Sequence, residues 1–187
     1  MPLKYAYHPG NVAHSGSPEV GETMDAVARN LGLELTPLEG ATSCGAGIIK
    51  QANQRLQLAL NARTFAMAES LGLEILSPCA ATAGNLKQDL EKLRSDNILM
   101  KEINDVLFKT CGMEFTGNTE VHHLLHVLVD EIGLDKVEKL AVNKFDFRVA
   151  PYYSPYFQME GACGGDSVND PESVSYTHLT LPTNREV

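Results

Sequence analysis

The sequence predicts an α/β fold, an open parallel sheet of β-loop-α units with ligand loops at the carboxyl edge of the strands. Three observations predict it: short β-prone runs alternate with long helical stretches, glycines stand where the first two helices end, and each strand runs into a loop of breakers and small residues. Strands joined through helices of this length lie parallel, and in such sheets ligands gather where the strands end.

Residues 3–7 form the first strand, stopped by Pro9-Gly10. Ser17-Pro18-Glu19 supplies an N-cap and a proline at the first helical position. Val20, Met24, Val27, Ala28 and Leu31 then repeat at helical spacing until Gly32. Residues 33–38 are the second strand, followed by a small-residue loop at 40–47 and a long Ala-rich helix at 48–71 that ends at Gly72. Residues 73–76 are the third strand, broken at Pro78-Cys79. Beyond the third loop a helix at 86–108 is interrupted near Ser95-Asp96-Asn97, and an amphipathic helix is expected over 119–132. The three loops at the expected ligand edge are 9–16, 40–47 and 77–84.

The chain of 187 residues carries 24 acidic and 15 basic side chains, a formal charge of −9 and a pI near 5.1, which gives phosphate backbones and anionic lipid no general attraction. No nucleic-acid partner is expected. No apolar run is long enough to span a bilayer, and the first residues lack a signal-peptide core. A cytoplasmic location follows as the expectation, with membrane association arising only through partner subunits. The cysteines at 44, 79, 111 and 163 form no Cys-x-x-Cys pair, so neither a zinc ribbon nor a small disulfide scaffold is indicated.

Residues 145–153 open a new β-prone stretch whose Val149-Ala150-Pro151-Tyr152-Tyr153 echoes Tyr5-Ala6-Tyr7-His8-Pro9. The expected organisation is one unit over 1–142, the start of a second copy over 143–173, and a tail over 174–187 that reads as artefactual sequence.

Asn11 follows Pro9-Gly10, Ser43-Cys44-Gly45 follows the second strand, and Cys79-Ala80-Ala81-Thr82 follows the third. With the aromatic strand Tyr5-Ala6-Tyr7-His8-Pro9-Gly10, His14, Asn61-Ala62-Arg63, Ala66-Met67-Ala68-Glu69 and Thr119-Glu120-Val121-His122-His123, this pattern resembles the cysteine-rich domain of the heterodisulfide reductase B-type family, also found in succinate and fumarate reductase subunits and in sulfur-oxidation relatives. The resemblance implies an oxidoreductase subunit engaged in electron transfer or disulfide reduction, an iron–sulfur cluster at the loop edge, and iron–sulfur or flavin subunits as partners. It also exposes a deficit. The family's cluster cysteines correspond to Asn11, Ser43, Cys44, Cys79 and Thr82, and only Cys44 and Cys79 keep a thiol; Ser154-Pro155 stands where the second copy has Gly-Cys. Thiolates suit iron, typical clusters use about four, and Asn and Thr are poor substitutes. A cluster-less scaffold or assembly paralogue is therefore the alternative.

Three readings of Cys44 and Cys79 stay open: vestigial buried thiols, a redox-active pair with the helix from Ile48 lowering the pKa of Cys44, or an altered metal site completed by His14 or His8. Elsewhere, His122 and His126 stand four apart on the expected helix, a metal-capable spacing, but they border an apolar stripe of Val121, Leu124, Leu125, Leu128 and Ile132. Gly45-Ala46-Gly47-Ile48-Ile49-Lys50 suggests a phosphate cradle only weakly, since the further glycine and the Gly-Lys-Ser/Thr of known cradles are missing. Ser15, His14 and Asp25 do not make a catalytic triad by spacing.

Overall fold

A computed structural model describes residues 2–142 and residue 156. The expected second copy (143–173) and tail (174–187) lie outside the described residues apart from Tyr156.

Four parallel strands form one sheet in the order β2-β1-β3-β4, with β1 at Leu3–Tyr7, β2 at Leu33–Pro37, β3 at Glu74–Ser77 and β4 at Val121–His123. Side chains alternate across the sheet as the pleat requires. From β1, Ala6 faces one core while Tyr5 and Tyr7 face the other; from β3, Ile75 and Leu76 divide the same way. The first core is covered by α4 (Gln54–Leu71), α5 (Ala80–Ser95) and α6 (Asn97–Cys111), whose Leu58, Phe65, Leu86, Leu90, Leu93 and Leu107 are buried. The second is covered by α2 (Glu19–Leu31), through Met24, Ala28 and Leu31, and by a π-helical turn at Val127–Ile132.

The glycine stops follow the expected chemistry, whereas the cap expected at Ser17 does not form: α2 starts at Glu19, with Pro18 at the N-cap position and no side-chain cap hydrogen bond. Gly32 and Gly72 close α2 and α4 at φ 79° and 64°, the left-handed region that favours glycine. The interruption expected near residue 96 is the start of α6, where the Asp96 carboxylate accepts from the N–H groups of Ile98 and Leu99.

The structure corrects the expectation in four further places. The first loop contains a short helix, α1 (Gly10–Ser15). The helix expected over 48–71 breaks at Asn53, leaving α3 (Ile48–Ala52) apart from α4, because Asn53 is extended and its side chain caps the new helix at the Leu56 N–H. The third loop is shorter than expected, since α5 already starts at Ala80.

The fourth correction is the largest: the helix expected over 119–132 begins as β4. Val121, His122 and His123 pair with Ile75, Leu76 and Ser77. The lead-in is clamped by Arg94, whose guanidinium donates to the carbonyls of Gly117 and Thr119 and pairs with Glu120. Tertiary pairing here overrides a helical apolar pattern. The pattern survives only after Leu124, as α7 (Leu124–His126) and the π-helical turn, before α8 (Leu134–Leu140).

In the order 2-1-3-4, the chain leaves β1 toward one face and β3 toward the other. The crevice between those two exits is the topological switch point of an open α/β sheet.

Candidate functional site

Gly10 leaves β1 at that switch point with φ +82° and lies against the loop after β3. A β-carbon at Gly10 would sit 2.4 Å from Cys79 Cβ and 3.2 Å from both Cys79 Sγ and Thr82 Oγ1. A glycine is thus required by conformation and by space together. Cys79 precedes α5 and Thr82 lies in its first turn, so their spacing places both on one side of the helix start.

Cys44 arrives from the loop after β2. It is fully buried, and burial pushes its thiol pKa up. The Ala46 N–H and the nearby Thr82 hydroxyl, which is itself buried without a hydrogen-bond partner, pull it down, while Cys79 and Asp89 push it up. The lowering expected from the helix at Ile48 does not prevail: α3 has only five residues, and desolvation dominates. Cys44, Cys79 and Thr82 therefore share one locality. Ser43 and Asn11 instead line an adjoining cleft of about 410 Å³ at the ends of β1 and β2, together with Tyr7, His8, Asp25 and Thr42. The hydroxyls of Tyr7 and Thr42 are buried there without hydrogen-bond partners.

What fixes Cys44 is its backbone. Its carbonyl oxygen accepts from Asn85 Nδ2 at 2.6 Å and Asn61 Nδ2 at 3.0 Å, with Gln57 Nε2 at 3.5 Å. Asn61 also donates to Asp89 at 2.6 Å, and Lys50 Nζ donates to Asn85 Oδ1 and Gln88 Oε1, each at 3.1 Å. Gln57, Asn61 and Asn85 are fully buried, and burial raises the Asp89 pKa despite the Asn61 hydrogen bond and the nearby Lys50 and Lys92. Gly45, at φ +70°, completes the packing, because a β-carbon there would lie 2.9 Å from Gln57 Cγ. The weak phosphate cradle thus has a structural explanation: its lysine is bound to side-chain oxygens and its first glycine packs against α4.

Two buried histidines border the thiol loops. His8 Nδ1 is 3.1 Å from the Gly10 N–H and its Nε2 is 3.0 Å from the Thr42 carbonyl. His123 Nδ1 is 3.2 Å from the Leu125 N–H and its Nε2 is 3.1 Å from the Pro78 carbonyl. Both ring nitrogens of His8 are engaged, so it offers no spare metal ligand. His14 lies in α1, and its side chain is outside what the structure describes. His122 and His126 do not share a helix face: His122, on β4, contacts Glu74 at 2.7 Å, while His126, in α7, faces Asp130 at 3.7 Å. Burial lowers the pKa of His126, and more strongly that of His123, to about 4, where nearby His126 adds to the lowering.

The donor set does not fit a typical iron–sulfur cluster. Two thiols and one threonine hydroxyl meet at the switch point, and among the described residues no group of three or more His, Cys, Asp or Glu could hold a metal ion. Cys111 is exposed at the end of α6, bonded to the Leu107 carbonyl, and Cys163 lies outside the described residues. Two thiols can instead exchange two electrons and two protons as a dithiol/disulfide couple.

Sequence reasoning missed Gln57, Asn85 and Asp89, the role of Asn61 and the bracing histidines. One signal was present: Asn61 stands at helical spacing from the core residues Leu58 and Phe65, and Asn85 and Asp89 adjoin Leu86 and Leu90.

Asn85→Leu removes the shortest bond to the Cys44 carbonyl and one Lys50 partner; urea unfolding is expected to show a loss of about 2–3 kcal/mol, and a loss below about 0.5 kcal/mol would contradict the network's role. His123 stays neutral in the folded chain down to about pH 4 but protonates in the unfolded chain below 6.5. The unfolded state therefore binds more protons in that window, and stability falls as pH drops from 6.5 to 4. Relative to His123→Asn, the wild type should lose about 3 kcal/mol across it, measured as the difference between two urea series; parallel pH profiles would contradict the assignment.

Residues 5–87 match the family described as a cysteine-rich domain, CCG. The chain is 28% identical over 145 residues to the B subunit of the ferredoxin/F(420)H(2)-dependent CoB-CoM heterodisulfide reductase of Methanosarcina acetivorans, covering 77% of this chain and 48% of that protein. It is 30% identical over 176 residues to the 8-methylmenaquinol:fumarate reductase membrane anchor subunit of Wolinella succinogenes, covering 92% of this chain and 60% of that protein. The chain thus spans about half the length of the curated relatives it matches. The crystal structure of a hypothetical protein from Helicobacter pylori shares the fold, with a TM-score of 0.62 at 15% identity over 70% of this chain and 26% of that one. Among the described residues no helix is long and apolar enough to cross a membrane. From strand β1 through the first turns of α5, residues 5–87 match the cysteine-rich CCG domain, and over a longer stretch the chain is similar to heterodisulfide reductase B subunits.

Proposed function

We propose that the chain is a heterodisulfide-reductase-B-like subunit of an oxidoreductase complex, and that its contribution to electron transfer or disulfide reduction runs through Cys44 and Cys79. The supporting observation is the buried amide network that holds the Cys44 carbonyl. A buried carbonyl needs a donor, but one would satisfy it; donors from both α4 and α5, each braced in turn, fix one geometry of the loop at the cost of desolvating every member. Oxidation of the two thiols to a disulfide releases two protons and two electrons. A flavin subunit accepts such a pair in one step and an iron–sulfur subunit in two, which makes these the partner classes for the reading. A soluble, cytoplasmic-side location fits it, with any membrane contact made through partners.

A second reading, a non-catalytic scaffold of the same complex, is favoured by one observation: Cys44 is wholly buried and its pKa is raised, which slows thiolate chemistry. The complex carrying Cys44→Ser or Cys79→Ser separates the two. The thiol reading expects each variant to co-purify with its redox partners while electron transfer falls at least about tenfold. Unchanged transfer in both variants would establish the scaffold reading in its place.

A further inference from the structure

We infer that His8 and His123 are positioning residues for the two thiols, a matched pair of neutral imidazole braces that set the Cys44 and Cys79 loops at the switch point. This rests on the reading of Cys44 and Cys79 as the groups that carry the chemistry.

A backbone N–H can only donate and a backbone carbonyl can only accept. Since His8 Nδ1 faces the Gly10 N–H, that nitrogen carries no proton; the proton is on Nε2, which donates to the Thr42 carbonyl. His123 obeys the same logic between the Leu125 N–H and the Pro78 carbonyl. Each ring is buried, 3% exposed for His8 and 6% for His123. Each stands at or just beyond a strand end and holds the carbonyl just ahead of a cysteine loop: Thr42 precedes Ser43-Cys44, and Pro78 precedes Cys79.

The two braces are joined through the crevice. His8 fixes the amide of Gly10, the residue that lies against Cys79 and Thr82. The coupling therefore runs across the whole sheet edge, from the β2 loop through the β1 loop to the β3 loop and on to β4. An imidazolium at either position would turn its Nδ1 into a second donor facing an N–H, so each brace works only in its neutral form; the low pKa of His123 agrees with this. Because a local hydrogen bond sets how often a loop opens, the braces govern access to the thiols more than they govern the fold.

Asn and Gln separate the two bonds of each ring. His8→Asn keeps an acceptor for the Gly10 N–H but cannot reach Thr42, whereas His8→Gln places an amide nitrogen near the former Nε2. In the full chain, maleimide labelling of Cys44, followed by mass spectrometry, is expected to speed up about tenfold in His8→Asn and to stay within about threefold of wild type in His8→Gln. Leu93→Ala, a cavity in the core away from the loops, serves as the comparison at matched global stability. Equal acceleration in Leu93→Ala, or no rescue by Gln, would overturn the inference. Long-range proton–nitrogen NMR of the wild type gives a reading independent of variant folding: both rings should show Nε2–H at pH 7, and an Nδ1–H tautomer at either would also overturn it. Neither measurement involves electron transfer, so failure here is distinct from failure of the proposed role in a redox complex.

Discussion

The carbonyl oxygen of Cys44 is the constraint on which the site depends. It belongs to a loop with no regular secondary structure, yet it is buried, and a buried carbonyl must find donors. The two close donors come from different helices, Asn61 of α4 and Asn85 of α5, so a single oxygen locks the β2 loop to both helices of one layer. Each donor then needs support. Asn61 is shared with Asp89, and Asn85 is held by Lys50, which itself rises from the short helix after the Cys44 loop. The loop is consequently fastened at both ends, and its thiol has little freedom.

A second constraint is steric. Strand order 2-1-3-4 opens a crevice between the exits of β1 and β3, and Gly10 and Cys79 fill it in direct contact. The five positions singled out in the sequence fall into two neighbouring places. Cys44, Cys79 and Thr82 share the crevice, while Asn11 and Ser43 line the adjoining cleft with the unpartnered hydroxyls of Tyr7 and Thr42. Oxygen and amide groups make poor iron ligands beside thiolates, and the donors gathered here are two thiols among hydroxyl and amide groups.

Much of the fold was legible in the sequence, because strand β1, helix α2, strand β2 and the glycine stops each rest on local rules of propensity, periodicity and glycine termination. Strand β4 was not, because Val121, Leu124, Leu125, Leu128 and Ile132 are spaced for a helix, and only pairing with β3 and the Arg94 clamp make Val121–His123 extended. The thiol positions could be read from spacing and resemblance. Their environment could not: whether Asn61, Asn85 and Asp89 meet one carbonyl depends on how two helices pack, and whether Gly10 touches Cys79 depends on strand order. The sign of the Cys44 shift likewise depends on burial, which overrides the helix start expected to lower it.

These elements together describe a domain similar to the CCG cysteine-rich domains, with three loops meeting at one sheet edge. The amide network, the close approach of Gly10 and the two neutral histidines all hold the loops, and the loops hold two thiols. The most direct measurement is iron and acid-labile sulfide content of the anaerobically purified chain, with mass-spectrometric mapping of Cys44 and Cys79 after mild oxidation and again after a dithiol reductant. The account predicts sub-stoichiometric iron and a Cys44–Cys79 disulfide that forms and is reversed. Stoichiometric iron and sulfide, or two thiols that never pair, would contradict it.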